Sequence, residues 1–292
     1  MSAELTLIQM LRAIATHPAA RNLDDDAAVL DLGGEALVLT HDMLVEGVHF
    51  LPGQDPADVA WKLVATNISD LAAKGAEPLG VLLGYTLGPD DARFLSGLQE
   101  ALAHYGAPLL GGDTVSPGGG VQVLGMTALG RATVRPVPSR SGAKAGDGLW
   151  ITGPVGAAML GLEALRAGSG DASAYLRPRA RLAEGLALAG QVSAMMDVSD
   201  GLLLDAARMA RASGVTIAIT SAAVPLAAPE DRRAEALRWG DDYELLFTLP
   251  PGTAPAAPSF RMGDIRADCG HALLIDEIPP KAGDKLGFQH AG

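Results

Sequence analysis

Carboxylates in this chain gather at a few places with a shared pattern: Asp24-Asp25-Asp26, Asp42, Asp70, Gly112-Asp113-Thr114, Asp197-Val198-Ser199-Asp200-Gly201 and Gly240-Asp241-Asp242-Tyr243-Glu244. These segments sit beside glycine or at the ends of apolar runs. Ala27, Ala28, Val29, Met43, Leu44, Leu71, Met195, Met196 and Leu202 flank them, where a solvated surface would intersperse lysines. Partial burial of the acids is therefore expected. Two like charges about 4 Å apart repel by about 4 kcal/mol at an effective dielectric near 20. Converging aspartates then imply protonation or a bound divalent cation. Hard oxygen donors favour Mg2+. Such a site admits phosphate oxygens only with the cation between the two sets of negative charge, which is a recurring arrangement in phosphoryl transfer.

Each segment taken alone has a plainer reading. Asp24-Asp25-Asp26 reads as a solvated turn, Asp70 as a helix residue facing water, Gly240-Asp241-Asp242 as a hairpin turn and Asp200-Gly201 as a helix start. All of these would have to hold at once. The chain carries no Walker A Gly-Lys-Ser/Thr loop and no protein-kinase glycine loop with a His-Arg-Asp segment. Gly118-Gly119-Gly120 after Pro117 reads as a hairpin loop. Any nucleotide site thus belongs to a less common kinase architecture.

Composition narrows the class further. Lys plus Arg number 22 against 34 Asp plus Glu, a formal charge of −12, which speaks against a bare nucleic-acid binder. A single cysteine, Cys269, supplies neither an intrachain disulfide nor a cysteine metal cluster. At 292 residues and 48% apolar content, one large domain or two ordinary ones can build a core. The uncharged stretch 212–229 contains Gly214, Pro225 and Pro229 and reads as a strand and loop, not a membrane span. A soluble, cytoplasmic protein is expected.

The acids must be positioned by elements that the patterning predicts. Leu5, Leu7, Ile8, Leu11 and Ile14 mark an opening helix ending before Pro18. Residues 27–31 and 35–40 form a hairpin about Gly33-Gly34. Pro56 opens a long helix through Ala76, followed by a strand over 78–87 and a helix capped by Asp90 and Asp91 that runs to about Tyr105. Val121 to Leu129 is a further strand. Residues 131–148 are rich in Pro, Ser, Gly and basic side chains, which places a domain junction near Pro138. Beyond it, strand and helix patterns alternate: strands at 149–152 and 194–198, helices from Val155, around 179–189 and from Gly201. The reading is an α/β (α+β) protein with an N-terminal domain over residues 1–138 and a C-terminal domain over 139–292.

Taken together, Asp25-Asp26-Ala27-Ala28-Val29, the run from Thr40 to Phe50, ATNISDLAAKGAEP from Ala65, LLGGDT from Leu109, RSGAKAGD from Arg140, MDVSDGLLLD from Met196 and GDDYELLFT from Gly240 resemble the thiamine-phosphate kinases. These belong to the aminoimidazole ribonucleotide synthetase-like superfamily. The segments follow the family's order and span most of the chain. The resemblance implies a two-domain fold whose N-terminal domain pairs in a homodimer. It also implies Mg2+-dependent transfer of the ATP γ-phosphoryl group to thiamine monophosphate, giving thiamine diphosphate and ADP without a phosphoenzyme. By motif position Asp26, Thr40, His41, Asp42, Asp70, Asp113, Asp197 and Asp200 are similar to Mg2+ ligands. Tyr105, Gly112, Asp113, Arg140 and Ser199 resemble the ATP site, and His49, Asp241 and Phe288 the thiamine-phosphate contacts. Small-molecule substrates are the expected partners, with no nucleic acid and no membrane.

Three positions depart from the family pattern. His41 stands where Thr is usual, Asp24 where a Gly commonly precedes the Asp pair, and Asp241 where Glu is usual. His41 and Asp241 sustain one alternative, a nucleotide- or thiamine-phosphate-binding sensor without turnover. Another ATP-dependent enzyme of the superfamily is the second.

Overall fold

The computed structural model describes residues 3–289. After α1 (Ala3–Arg12) and a 3-10 turn over Pro18–Leu23, β1 (Ala28–Leu32) and β2 (Glu35–Val45) form the expected hairpin. Gly33 and Gly34 join them at φ 59° and 94°, the left-handed conformation that a tight hairpin turn requires. The predicted long helix is α2 (Pro56–Ala73), capped by the Asp55 side chain on the Ala57 amide at 2.9 Å. It stops three residues short of Ala76, because Gly75 turns left-handed (φ 56°) and Ala76 already opens β3 (Ala76–Thr86). Next come α3 (Asp91–Tyr105), β4 (Leu109–Val115) and β5 (Val123–Ala132).

These strands order as β1-β2-β5-β3-β4, with β3–β4 the parallel pair. Gly118 to Gly120 are consequently no hairpin loop. They link the edge strand β4 to the central strand β5, with β3 lying between. α2 and α3 cover one face of the sheet. Ala36, Val38 and Leu44 of β2 pack into that core, together with Leu63, Ile68 and Phe94. On the other face Met43, Leu82 and Leu110 are exposed.

The connection over residues 133–147 leads from the first sheet to the second. Beyond it follow β6 (Gly148–Ile151), α4 (Ala157–Ala167), α5 (Ser173–Leu176), α6 (Leu182–Leu188), β7 (Ala194–Asp197), α7 (Leu202–Ser213), β8 (Val215–Ile219), α8 (Arg233–Ala236), β9 (Leu245–Leu249), β10 (Phe260–Ala267) and β11 (Leu273–Ile275). The second sheet orders as β11-β8-β10-β6-β9-β7, with β11–β8 its parallel pair. The dominance of antiparallel pairing makes α+β the apt description of both halves. Leu202, Leu203, Ala206 and Met209 of α7 pack on this sheet. No helix of the described residues is long and apolar enough to cross a membrane.

A third core joins the halves: Ala72 and Ala73 of α2 pack with Leu188, Met195 and Phe247. α2 is therefore covered on several sides, and Lys62, Thr66, Asn67, Ser69, Asp70 and Lys74 are buried with its apolar residues. The close approach of α6 depends on Gly185, where an added Cβ would lie 2.1 Å from the Ala72 carbonyl oxygen. Gly185→Ala is expected to cost about 1–3 kcal/mol in urea denaturation, because rigid backbone must move apart.

Candidate active site

The acids converge because α2 is sandwiched. Asp70 projects from α2, Asp26 from the residues entering β1, and Asp197 from the end of β7 in the other half. Each offers a carboxylate oxygen, and the three oxygens lie within 4.8 Å of one another. Around them, Thr40 Oγ1 donates to Asp70 Oδ2 in a short hydrogen bond, and Ser69 Oγ donates to Asp197 Oδ2 at 2.7 Å. The Asp42 amide donates to Asn67 Oδ1 at 3.1 Å. A cavity of ≈ 400 Å³ borders this point, lined in part by Leu23, Asp25, Asp26, Thr40, His41 and Asp42.

Burial and mutual repulsion dominate the electrostatics. Asp197 is pushed up to about 8, first by burial and then by the charge of Asp26. Asp70 rises well above the carboxylate range through burial and the charges of Asp42, Asp197 and Asp26. Asp42 rises to about 6 through burial, Asp26 and Asp200. At 4.8 Å each ionised pair repels by about 3 to 4 kcal/mol at an effective dielectric of 20. The cluster therefore holds protons or a cation at neutral pH.

Part of the charge is met by cations that sequence reasoning passed over. Lys74, fully buried at the end of α2, pairs with Asp25 and lies 2.7 Å from Asp26 Oδ2. Burial works against its charge, yet Asp26 and Asp25 hold it protonated. Arg21 also pairs with Asp25. Against the pull of burial, Lys74 and Arg21 keep that carboxyl below its usual range. Arg140 pairs with Asp26, so its guanidinium turns inward to the cluster. Asp26 Oδ2 is buried, and the Lys74 ammonium is the group that meets it among the described residues. Three converging carboxylates, with Asp42 and Asp25 beside them, outnumber the cations Lys74, Arg21 and Arg140, and such a set of oxygen donors fits a hard divalent cation such as Mg2+. A lone Lys in an apolar helical run, as at Lys62 and Lys74, was the available signal for these buried cations.

Other expected residues are placed differently. Strand alternation puts His41 on the opposite face of β2 from Thr40 and Asp42, where its Nδ1 meets Thr127 Oγ1 at 2.9 Å. His41 can reach the cluster only through its backbone. Asp113 pairs across β4 with Gly84, two residues on from the exposed Leu82, and so lies on the sheet's open face with its own Thr114 amide as partner. Within one chain Asp113 and Gly112 are not brought to Asp26, Asp70 and Asp197. Tyr105 is also elsewhere: its hydroxyl accepts from the Ala180 amide at 3.0 Å, and its ring packs with Trp61 and His104. Asp200 is held by Arg208, which also binds the buried Asp205 at 2.8 Å, so its charge reaches Asp42 while its side chain is engaged outside the triad. Ser199 accepts the Asp241 amide on its carbonyl at 2.8 Å.

A second group adjoins the first. Asp241, in left-handed conformation (φ 66°), accepts from Tyr243 OH at 3.0 Å and from Lys62 Nζ at 2.7 Å. Lys62 Nζ also donates to the His49 carbonyl at 3.1 Å. Tyr243, fully buried, lies in the fields of Asp241, Asp42 and Asp197, which with burial raise it well above the usual phenol range. It thus connects the Asp241 group to the acidic cluster. Phe288 is half exposed, and its amide donates to the Asp200 carbonyl at 2.8 Å, which brings the C-terminal segment beside the 197–201 loop. Beyond Asp241 a cavity of ≈ 220 Å³ is lined by Arg177, Arg181, Asp242 and Glu244 among others.

Comparisons with known proteins place the chain in a family. Residues 24–132 match the model of the AIR synthase related protein N-terminal domain, and residues 144–259 that of the C-terminal domain. The chain is 35% identical over 300 residues to the thiamine-monophosphate kinase of Escherichia coli, covering 92% of this chain and 91% of that protein. It is 39% identical to that of Caulobacter vibrioides, covering 85% and 77%. Among solved structures it is similar to the thiamine monophosphate kinase of Aquifex aeolicus, at 29% identity and TM-score 0.81, covering 95% and 98% of the two chains. It is likewise similar to AaThiL complexed with AMPPCP and TMP, at 28% identity and TM-score 0.85, covering 95% and 94%.

Proposed function

This chain belongs to the AIR synthase related family and to the thiamine-monophosphate kinases within it, and from that premise we propose how its site works. It is an ATP-dependent phosphotransferase acting on thiamine monophosphate, with thiamine diphosphate and ADP as products. The observation that carries the reading is the convergence of Asp26, Asp70 and Asp197 from both halves of the chain within 4.8 Å.

Asp26, Asp70 and Asp197 would hold Mg2+, with Asp42, Thr40 and the His41 carbonyl beside them. Bound there, Mg2+ would neutralise phosphate oxygens of nucleotide and acceptor that the carboxylates alone would repel. The chain's own groups orient and neutralise. Arg140 and Lys74 fix Asp26, Ser69 fixes Asp197, and Thr40 fixes Asp70. A phosphate oxygen of thiamine monophosphate attacks the γ-phosphorus as the bond to ADP breaks, and no side chain is phosphorylated. ATP is assigned to the side of Arg140 and Ser199, with Gly112 and Asp113 reaching it from a second copy of the chain, and Tyr105, packed on Trp61 and His104, stays outside this group. Thiamine monophosphate is assigned to His49, Asp241 and Phe288, where an aromatic ring can stack on a cationic heterocycle. Because Lys62 already neutralises Asp241 in part, ring stacking on Phe288 carries more of the recognition than charge does.

The open face of the first sheet supports a homodimer. Met43, Leu82, Leu109, Leu110 and Val115 are 42–56% exposed there or at its β4 edge, a patch of the kind that monomers seldom leave uncovered. Asp113 lies on the same face, so a second copy is what would bring it into use. Leu82→Glu is expected to shift light scattering from dimer to monomer and to lower turnover with it. Unchanged mass would remove the dimer from the proposal.

The deciding experiment incubates the chain with ATP, thiamine monophosphate and Mg2+ and separates the products chromatographically. Thiamine diphosphate and ADP are expected in equal amounts, and excess EDTA is expected to abolish both. ADP without thiamine diphosphate would point to another acceptor. Tight calorimetric binding of both substrates with no product would establish the sensor reading.

A further inference from the structure

Lys62 is the large buried cation that the reaction scheme leaves without a task. Its side chain is 1% exposed, although lysine is among the residues least often fully buried. Its surroundings use the whole ammonium. Nζ donates to Asp241 Oδ2 at 2.7 Å and to the His49 carbonyl at 3.1 Å, and it lies 4.0 Å from the centroid of the Tyr175 ring. Tyr175 OH donates to the same His49 carbonyl at 3.2 Å. With two hydrogen bonds and an aromatic face taken up, the ammonium retains no direction in which to meet a phosphate.

Lys62 instead ties together three segments distant in sequence: the 46–50 turn after β2, α5, and the left-handed loop at Asp241. It does so from α2, the helix that also carries Asp70. At 1.5 Å rise per residue, the eight steps from Lys62 to Asp70 span about 12 Å along one rigid rod. α2 thereby spaces the acceptor-side residues from the acidic cluster.

We propose that Lys62 is a positioning residue for the phosphate acceptor: it presets Asp241 and the His49 turn at a constant distance from Asp70 without touching substrate. The inference rests on the kinase reading. It assigns Lys62 an effect on thiamine monophosphate binding that is exerted through Asp241.

The test is a double-mutant cycle of Lys62→Met, Asp241→Asn and the two combined, with steady-state kinetics for both substrates. Lys62→Met is expected to raise KM for thiamine monophosphate about tenfold or more, the scale of a lost charged hydrogen bond. The kcat is expected to stay within about threefold and KM for ATP within about twofold, the pattern of lost uniform binding. In the combined variant the rise is expected to match that of Asp241→Asn alone, since Lys62 acts through Asp241. Additive losses, or an unchanged KM in Lys62→Met, overturn the proposal.

Tyr175→Phe keeps the ring beneath the ammonium and removes only the hydroxyl bond to His49. It carries the test if Lys62→Met does not fold, with a KM rise of about threefold expected and no change overturning the inference. Wild-type turnover checks the kinase reading separately. If the wild type binds thiamine monophosphate without turning over, that reading falls and the same cycle is read from calorimetric Kd values. If it does not bind at all, both fall.

Discussion

Asp197→Asn is expected to make the chain more stable in EDTA and nearly inactive with Mg2+. Asp197 is buried beside Asp70 and Asp26, and its carboxyl is held near pH 8 by burial and by Asp26. Asparagine has almost the same shape and keeps a carbonyl oxygen to accept from Ser69 Oγ, so the 2.7 Å hydrogen bond can persist. The ionised form, and its repulsion of its neighbours, disappears. Above about pH 8 the variant is expected to gain about 1 kcal/mol, or about 2–4 °C in Tm for a chain of this size. One charged ligand is lost from the cation site at the same time. A fall of about 10²–10³ in kcat/KM is expected, the scale on which preorganised electrostatic groups act. Scanning fluorimetry in EDTA and a thiamine diphosphate assay measure the two halves. A variant that is destabilised in EDTA, or that keeps full turnover, would contradict the placement of Asp197 among repelling, cation-holding acids.

The stabilisation that Mg2+ confers should grow with pH. Asp42 and Asp197 have folded values of about 6 and about 8, raised from 3.8, and Asp70 is raised as well. Between about pH 4 and 8 the folded chain therefore holds protons that the unfolded chain has released. Stability in EDTA must fall as pH rises through this window, because the unfolded state binds fewer protons there. Asp25 acts in the opposite sense. Held below its usual range by Lys74 and Arg21, it contributes stability above its unfolded value that is lost in acid. The metal-free optimum is thus expected near the acid edge of the window. Mg2+ binding displaces the shared protons, so the Tm difference between Mg2+ and EDTA should be small near pH 5 and should widen through pH 6 to 8. An increment that is constant with pH would show that the acids do not share protons, and the cation would then have to be held elsewhere.

Much of the scaffold was readable from local patterning. The hairpin about Gly33-Gly34, the Pro56 helix, the Asp90 cap and the strands around residues 128, 150 and 195 follow from turn chemistry and from periods of 2 and 3.6. The apolar flanks of the acids correctly announced burial at Asp26, Asp70 and Asp197. Strand alternation would also have separated His41 from Asp42, since adjacent residues of a strand face opposite ways. The loop at Gly118 to Gly120 has hairpin chemistry without a hairpin, because strand order is a long-range property and a Gly-rich turn between two strands does not say whether they pair.

What the sequence determined by itself was the identity of the elements, the family and the set of acids that burial makes costly. The tertiary structure decided which of them meet. α2 has polar residues at Lys62, Asn67, Asp70 and Lys74, and a helix with those residues ordinarily turns them to water. Here β2 meets Asn67 and Asp70, Asp25 and Asp26 meet Lys74, and the second half of the chain, through β7 and the 240–244 loop, closes over Ser69 and Lys62, so that the polar side becomes interior. The same packing turned Arg140 inward to Asp26 and left Asp113 on the open sheet face. Burial of a polar side chain depends on segments more than a hundred residues away, as in Ser69 with Asp197. Local spacing carries no information about contacts of that range.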